Sequence, residues 1–237
     1  MSTEMLITKE TLEQYLKELA KEFRRRTHKA VSAEIILVGG ASTLINYGFR
    51  EKTYDVDAII QAESSMKEAI NVVGDKYFLP NGWLNTDFCR TKSYTPRLID
   101  VSIYYKTFSN VVTLRTVTSE YLIAMKLMSG RKYKNDLSDI VGILRDHQLR
   151  NIPISFNQIN AAVCKLYGDW SDIPLYSKEF IDIVYITEDY DSLYQKYRNE
   201  EIESKEILLN IQGKYPGLVN RGNLDDILIQ ARRKDQS

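Results

Sequence analysis

Two cysteines, two histidines and a formal net charge of zero in 237 residues rule out several kinds of protein at once. Cys89 and Cys164 stand far apart in mixed or apolar surroundings, which points to reduced thiols and away from a disulfide framework. So few soft ligands, all scattered, argue against structural zinc. With 32 basic residues against 32 acidic ones there is no global field to draw nucleic acid, so such a partner must be held by a local patch. No apolar run approaches the roughly 18 residues that span a membrane. The opening stretch, "MSTEMLITKETLEQYLKELAKEF", reads as an amphipathic helix with acids throughout, unlike the basic start and apolar core of a signal peptide. A cytoplasmic protein with no membrane partner is expected. Repeats and low-complexity segments are absent too.

What is present suits a globular chain with a real core: 43% hydrophobic and 27% charged residues. Residues 9–27 carry Leu12, Tyr15, Leu16, Leu19 and Phe23 at helical spacing. Glu34–Val38 is a short β-branched run, followed by Gly39-Gly40 and a brief helix closed by Gly48. Asp55–Ile60 reads as a strand, 64–73 as a helix, and "LPNGWLN" (79–85) as a loop. "RLIDVSIYY" (97–105) and "VVTLRTV" (111–117) alternate as strands. From Ser119 the pattern is helical, with a stop at Gly130 and a new start near "KNDLSDIVGILRDH". The expected fold is α+β: a small mixed sheet flanked by helices over 1–150, then an all-helical domain over 151–237.

Within this frame "ILVGGASTLINYGFREKTYDVDAII" (36–60) concentrates the chemistry. Asp55 and Asp57, two apart on a strand, share a face with Cα atoms ~7 Å apart. Carboxylates that close repel unless a cation sits between them, and Mg²⁺ favours one or two carboxylates plus substrate phosphates. Asp100, on another expected strand, would add a third. Such a set suits two-metal phosphoryl or nucleotidyl transfer. Gly39-Gly40, where a strand gives way to a helix, offers bare backbone N–H groups to a triphosphate, and Ser42 adds a hydroxyl. Other phosphate motifs fail: neither G-x-x-x-x-G-K-[ST] nor G-x-G-x-x-G occurs.

"LVGGAS…YDVDAII" resembles the strand–GG/GS–helix–D-x-D signature of the polymerase beta-like nucleotidyltransferase superfamily. "LIDVSI" resembles the strand that bears that fold's third carboxylate. "YLIAMKLMSGRKYKNDLSDIVGIL" is similar to the K-L…R…D-x-x-D segment of abortive-infection toxin (AbiEii-like) nucleotidyltransferases and their uncharacterised relatives. The resemblance covers roughly residues 30–146. It implies Mg²⁺ (or Mn²⁺) at Asp55, Asp57 and Asp100, with Lys126, Asp136 and Asp139 serving the nucleotide site. It also implies an NTP substrate, an RNA (tRNA) or protein acceptor, and a place in toxin–antitoxin or phage-defence systems with an antitoxin partner. Gly40 stands where many antibiotic-modifying transferases have Ser, which disfavours that branch.

Each residue also has a plainer reading. Lys126 sits in an apolar helix, where it meets a phosphate or snorkels to an edge. Asp136 and Asp139 share a helical face, and Asp136 also suits a helix start. The basic run "KEFRRRTHK" (21–29) would grip RNA or complement a helix C-terminus. Tyr176, Tyr185, Tyr190, Tyr194 and Tyr197 form a stripe better suited to core or partner contact than to base stacking. Two other functions stay open: an inactive transferase-like binding module or antitoxin, and an aminoglycoside-type nucleotidyltransferase using tail acids such as Glu188, Asp189 and Asp191.

Overall fold

The computed structural model describes residues 6–27, 31–187, 189–220 and 223–234. Helix α1 (Lys9–Arg26) opens with a capping box between Thr8 and Thr11 and buries its leucine face. Strand β1 (Ala33–Leu37) runs into α2 (Gly39–Asn46), and β2 (Val56–Gln61) is followed by α3 (Ser65–Tyr77). A two-residue strand, β3 (Leu84–Asn85), lies inside the stretch expected to be loop. The hairpin β4 (Ser102–Phe108) and β5 (Val112–Val117) leads to α4 (Ser119–Ser129), which ends at Gly130 in the left-handed conformation. Then come α5 (Asp136–Leu149), α6 (Phe156–Tyr167), α7 (Leu175–Thr187), α8 (Tyr190–Lys214) and α9 (Leu224–Lys234). The fold is α+β, as expected. No helix among the described residues is long and apolar enough to cross a membrane.

The sheet is mixed, in the order β3-β2-β1-β5-β4. β1 is antiparallel to β2 and parallel to β5, while β3 joins β2 in parallel. Alternation along β1 explains why both faces are covered. Ile35 and Leu37 pack with Leu12, Leu16 and Phe23 of α1. Ile36 and Val38 pack on the other side with α4 and α5, in a cluster that continues through Ile159, Phe180 and Tyr197 of the later helices. Helices α6, α7 and α8 thus share one apolar cluster with the sheet.

Three surface features of the sequence have partners within the fold. In the basic run, Arg25 and Arg26 pair with Glu22, Lys21 pairs with Glu18, and Arg24 donates to the Ser109 carbonyl; His28 and Lys29 lie outside the described residues. Of the tail tyrosines, Tyr197 packs edge-on against Phe180, and Tyr185 donates to the Ile154 carbonyl. Glu188 lies outside the described residues; Asp189 caps α8 through the Ser192 amide, and Asp191 pairs with Arg145.

Candidate functional site

Antiparallel pairing places the end of β1 beside the start of β2. Leu37 faces Ala58, and the Val38 amide donates to the Asp57 carbonyl at 3.1 Å. The first turn of α2 therefore rises next to Asp57. Gly39 has φ +52°, a conformation that disfavours any side chain, and a Cβ there would lie 4.0 Å from Asp57 Oδ2. At Gly40 a Cβ would come within 2.7 Å of Arg50 Nη2 and 3.0 Å of Thr53 Oγ1. The second glycine thus makes room for Arg50. Both glycines line a cavity of about 370 Å³ together with Asp55, Asp57, Lys126, Asp136 and Asp139.

The cavity has an acidic wall and a basic one. On the acidic side, Asp55 is exposed just ahead of β2 and Asp57 is half-buried within it. Burial, and then the charge of Asp55, push the Asp57 carboxyl above its usual range. Asp87, which follows β3, also lines the cavity and its charge acts on Asp57 in the same sense. Among the described residues no group of three or more His, Cys, Asp or Glu is placed to hold a metal ion. Asp55, Asp57 and Asp87 are the carboxylates on this side of the cavity.

Two expected members of the site are elsewhere. Residues 97–105 were expected to be a continuous strand, but Pro96–Leu98 coils into a 3₁₀ turn and Asp100 sits exposed in the turn before β4. β4 lies three strands from β2, about 14 Å at ordinary strand spacing, and Asp100 does not line the cavity. Ser42 is fully buried on the far side of α2's first turn, where its hydroxyl accepts from the Val117 amide and from Asn46. It holds α2 to β5 and does not line the cavity.

The basic wall gathers around the first turn of α5, whose carboxylates Asp136 and Asp139 hold cations from α4 and from the loops before α5 and β2. Lys126, only 4% exposed, donates to Asp139 Oδ2 at 2.6 Å and lies 3.6 Å from Asp136 Oδ1. Arg131 binds Asp136 through both Nε (2.8 Å) and Nη2 (3.2 Å). Arg50 pairs with Asp139, and its Nε is buried without a hydrogen-bond partner. Burial works against ionised Asp136, but Arg131 and Lys126 outweigh it and hold the carboxyl well below the usual range. Three cations meet two carboxylates here, and Lys134 adds a further cation at the cavity lining. Lys126 does not snorkel to an edge; it lines the cavity with its charge paired to carboxylates of the fold. Sequence reading passed over Arg50, Arg131, Lys134 and Asp87. Arg50 and Arg131 carried a signal, the one five residues before Asp55 and the other inside the K-L…R…D-x-x-D stretch.

A long-range cap sets the first turn of α5. Its N-cap residue Asn135 makes no side-chain cap, and Glu201 of α8 does so in its place. Glu201 accepts from the Leu137 amide at 2.8 Å, the Ser138 amide at 3.2 Å and the Ser138 hydroxyl. Burial, opposed by the Ser138 hydrogen bond and aided by the charge of Asp139, pushes this carboxyl from 4.5 up to about 8. The folded chain thus keeps a proton that the unfolded chain releases near pH 4.5. Stability from this group is complete below that pH and is lost as pH rises through about 8. The slope is at most ~1.4 kcal/mol per pH unit. Glu201→Gln is expected to flatten it, as read by denaturant unfolding at several pH values. An unchanged slope would assign the dependence to other groups.

Comparison with known proteins meets this geometry at one point. No match is found among curated proteins, nor among solved structures. A family model described as "Nucleotidyltransferase of unknown function (DUF6036)" matches residues 14–151. That span holds all five strands, the Gly39-Gly40 turn, Asp55, Asp57 and the ion cluster, and it stops before α6. On a match over more than half its length, the chain belongs to this nucleotidyltransferase family.

Proposed function

We propose that the protein is a Mg²⁺-dependent (or Mn²⁺-dependent) nucleotidyltransferase, moving a nucleotide from an NTP to a hydroxyl of RNA or protein and releasing pyrophosphate. The observation that carries this reading is the division of the cavity. Two carboxylates stand at the α2 N-terminus on one side, and a cluster with more cations than acids stands on the other. A metal–triphosphate carries both complementary signs. Asp55 and Asp57 would hold the ion, with phosphate oxygens and water filling its remaining positions. When bound, the ion supplies charge neutralisation and activation of the acceptor hydroxyl. Amides of the first turn of α2 and the side chains of Arg131 and Lys134 would orient the phosphates. The toxin-type role rests on the similarity of residues 121–144 to the K-L…R…D-x-x-D segment.

Purified protein incubated with each α-labelled NTP, Mg²⁺ and total RNA or lysate is expected to produce labelled acceptor and free pyrophosphate. Binding of NTP without any transfer would favour an inactive binding module. Absence of NTP binding would remove the transferase reading.

A further inference from the structure

A transferase needs room for a second substrate next to the first. A second cleft, of about 260 Å³, shares Arg50, Asn135 and Asp139 with the nucleotide cavity. We infer that this cleft is the acceptor subsite and that it takes the end of a single-stranded nucleic acid. The inference rests on the transferase reading above and adds the place and chemical class of the acceptor.

Its lining makes the case. The Arg50–Asp139 ion pair forms the partition between the two spaces and is internally neutral. Across the rest of the cleft, Lys52 and Arg198 oppose Glu51 alone. Arg198 donates to the neutral Asn135 Oδ1 at 2.5 Å, and among the described residues neither it nor Lys52 pairs with a carboxylate. A cationic acceptor would meet like charge; a phosphodiester chain would not. The remaining wall is aromatic. Phe49 and Tyr194 meet edge to face with centroids 5.9 Å apart. Phe49 cannot drift, because it fills the space over Gly142, where a Cβ would lie 2.5 Å from its ring. Fixed aromatic surface beside cations is how single strands are held without sequence readout: bases stack and phosphates pair. Farther along α8, Lys205 lies over the Tyr54 ring at 4.2 Å, so the aromatic and cationic series reaches the residue before Asp55.

In the transfer, the strand's terminal hydroxyl oxygen bonds to the α-phosphorus. The bond from that phosphorus to its bridging oxygen breaks, pyrophosphate leaves with the bonding pair, and the hydroxyl proton passes to water.

The test uses the full chain, fluorescein-labelled RNA and DNA dodecamers without secondary structure, and a fluorescent ATP analogue with Mg²⁺. Lys52→Gln/Arg198→Gln is expected to weaken strand binding about tenfold and to lower the salt slope by about 1.4, the value for two lost phosphate contacts on a single strand. Affinity for the ATP analogue should stay within about twofold, because neither residue lines the nucleotide cavity. Preference for RNA or DNA would support the subsite and identify the sugar it accepts. Lys52→Gln alone, at an exposed position between helix and strand, keeps the test in force if the double variant misfolds. Equal strand affinity in variant and wild type would overturn the proposal, as would labelling of protein and no nucleic acid by the wild-type chain. Failure of the wild type to bind an analogue of any of the four NTPs would overturn the transferase reading, and this proposal with it.

Discussion

Asp55→Asn/Asp57→Asn is expected to lower nucleotidyl transfer by about three orders of magnitude, the scale of several kcal/mol of lost metal-borne charge stabilisation. The same variant should melt at or above the wild-type temperature. Burial and the charge of Asp55 raise the Asp57 carboxyl, so in the metal-free protein the ionised pair is a source of strain. Neutral amides remove that repulsion. Activity and stability thus move in opposite directions, which a residue needed only for folding would not do. Calorimetry with Mg²⁺ or Mn²⁺ in the presence of a non-hydrolysable NTP, run beside transfer assays and thermal melts, reads all three quantities. Equal metal affinity and equal transfer in the variant would remove both aspartates from the site.

The largest stability effect is expected at Asp139. This carboxylate, 4% exposed, receives both Lys126 and Arg50. Asp139→Ala would leave two cations buried without it, and breaking a buried pair from one side costs about 3–5 kcal/mol. Lys126→Met should cost much less. Asp136 keeps its paired contacts with Arg131, and Asp139 keeps Arg50. For the sequence alone, removing the lysine charge would hold or raise stability, since an isolated ammonium in an apolar helix is costly. The surrounding carboxylates change that sign to a modest loss. Denaturant unfolding of the two variants under one buffer compares them directly, and equal destabilisation would mean that Asp136 and Asp139 are not separately supported.

Several elements could be read from local pattern because their cause is local. A short continuous apolar run makes β1, the left-handed Gly130 stops α4, and capping boxes at Thr8 and Ser155 start α1 and α6. The juxtaposition of Gly39-Gly40 with Asp57 follows from the antiparallel pairing of β1 with β2, which sets the end of the first strand against the start of the second. Their connection, residues 38–55, contains α2 and does not by itself dictate that pairing. β3 is two residues long and exists only through its register with Val56 and Asp57, so nothing inside "LPNGWLN" announces it.

By itself the sequence determined the local parts of the candidate site: a strand, a glycine pair and two aspartates that line one cavity. Only the tertiary structure decided which other charges join them. Strand order moves Asp100 to the far edge of the sheet, a fact about pairing partners that alternation along one strand does not encode. The depth of α4 turns Lys126 into the centre of an ion cluster, because burial makes charge pairing obligatory. The cap on α5 comes from Glu201, more than 60 residues away, because α8 crosses the N-terminus of α5 and its unpaired amides have no water to turn to.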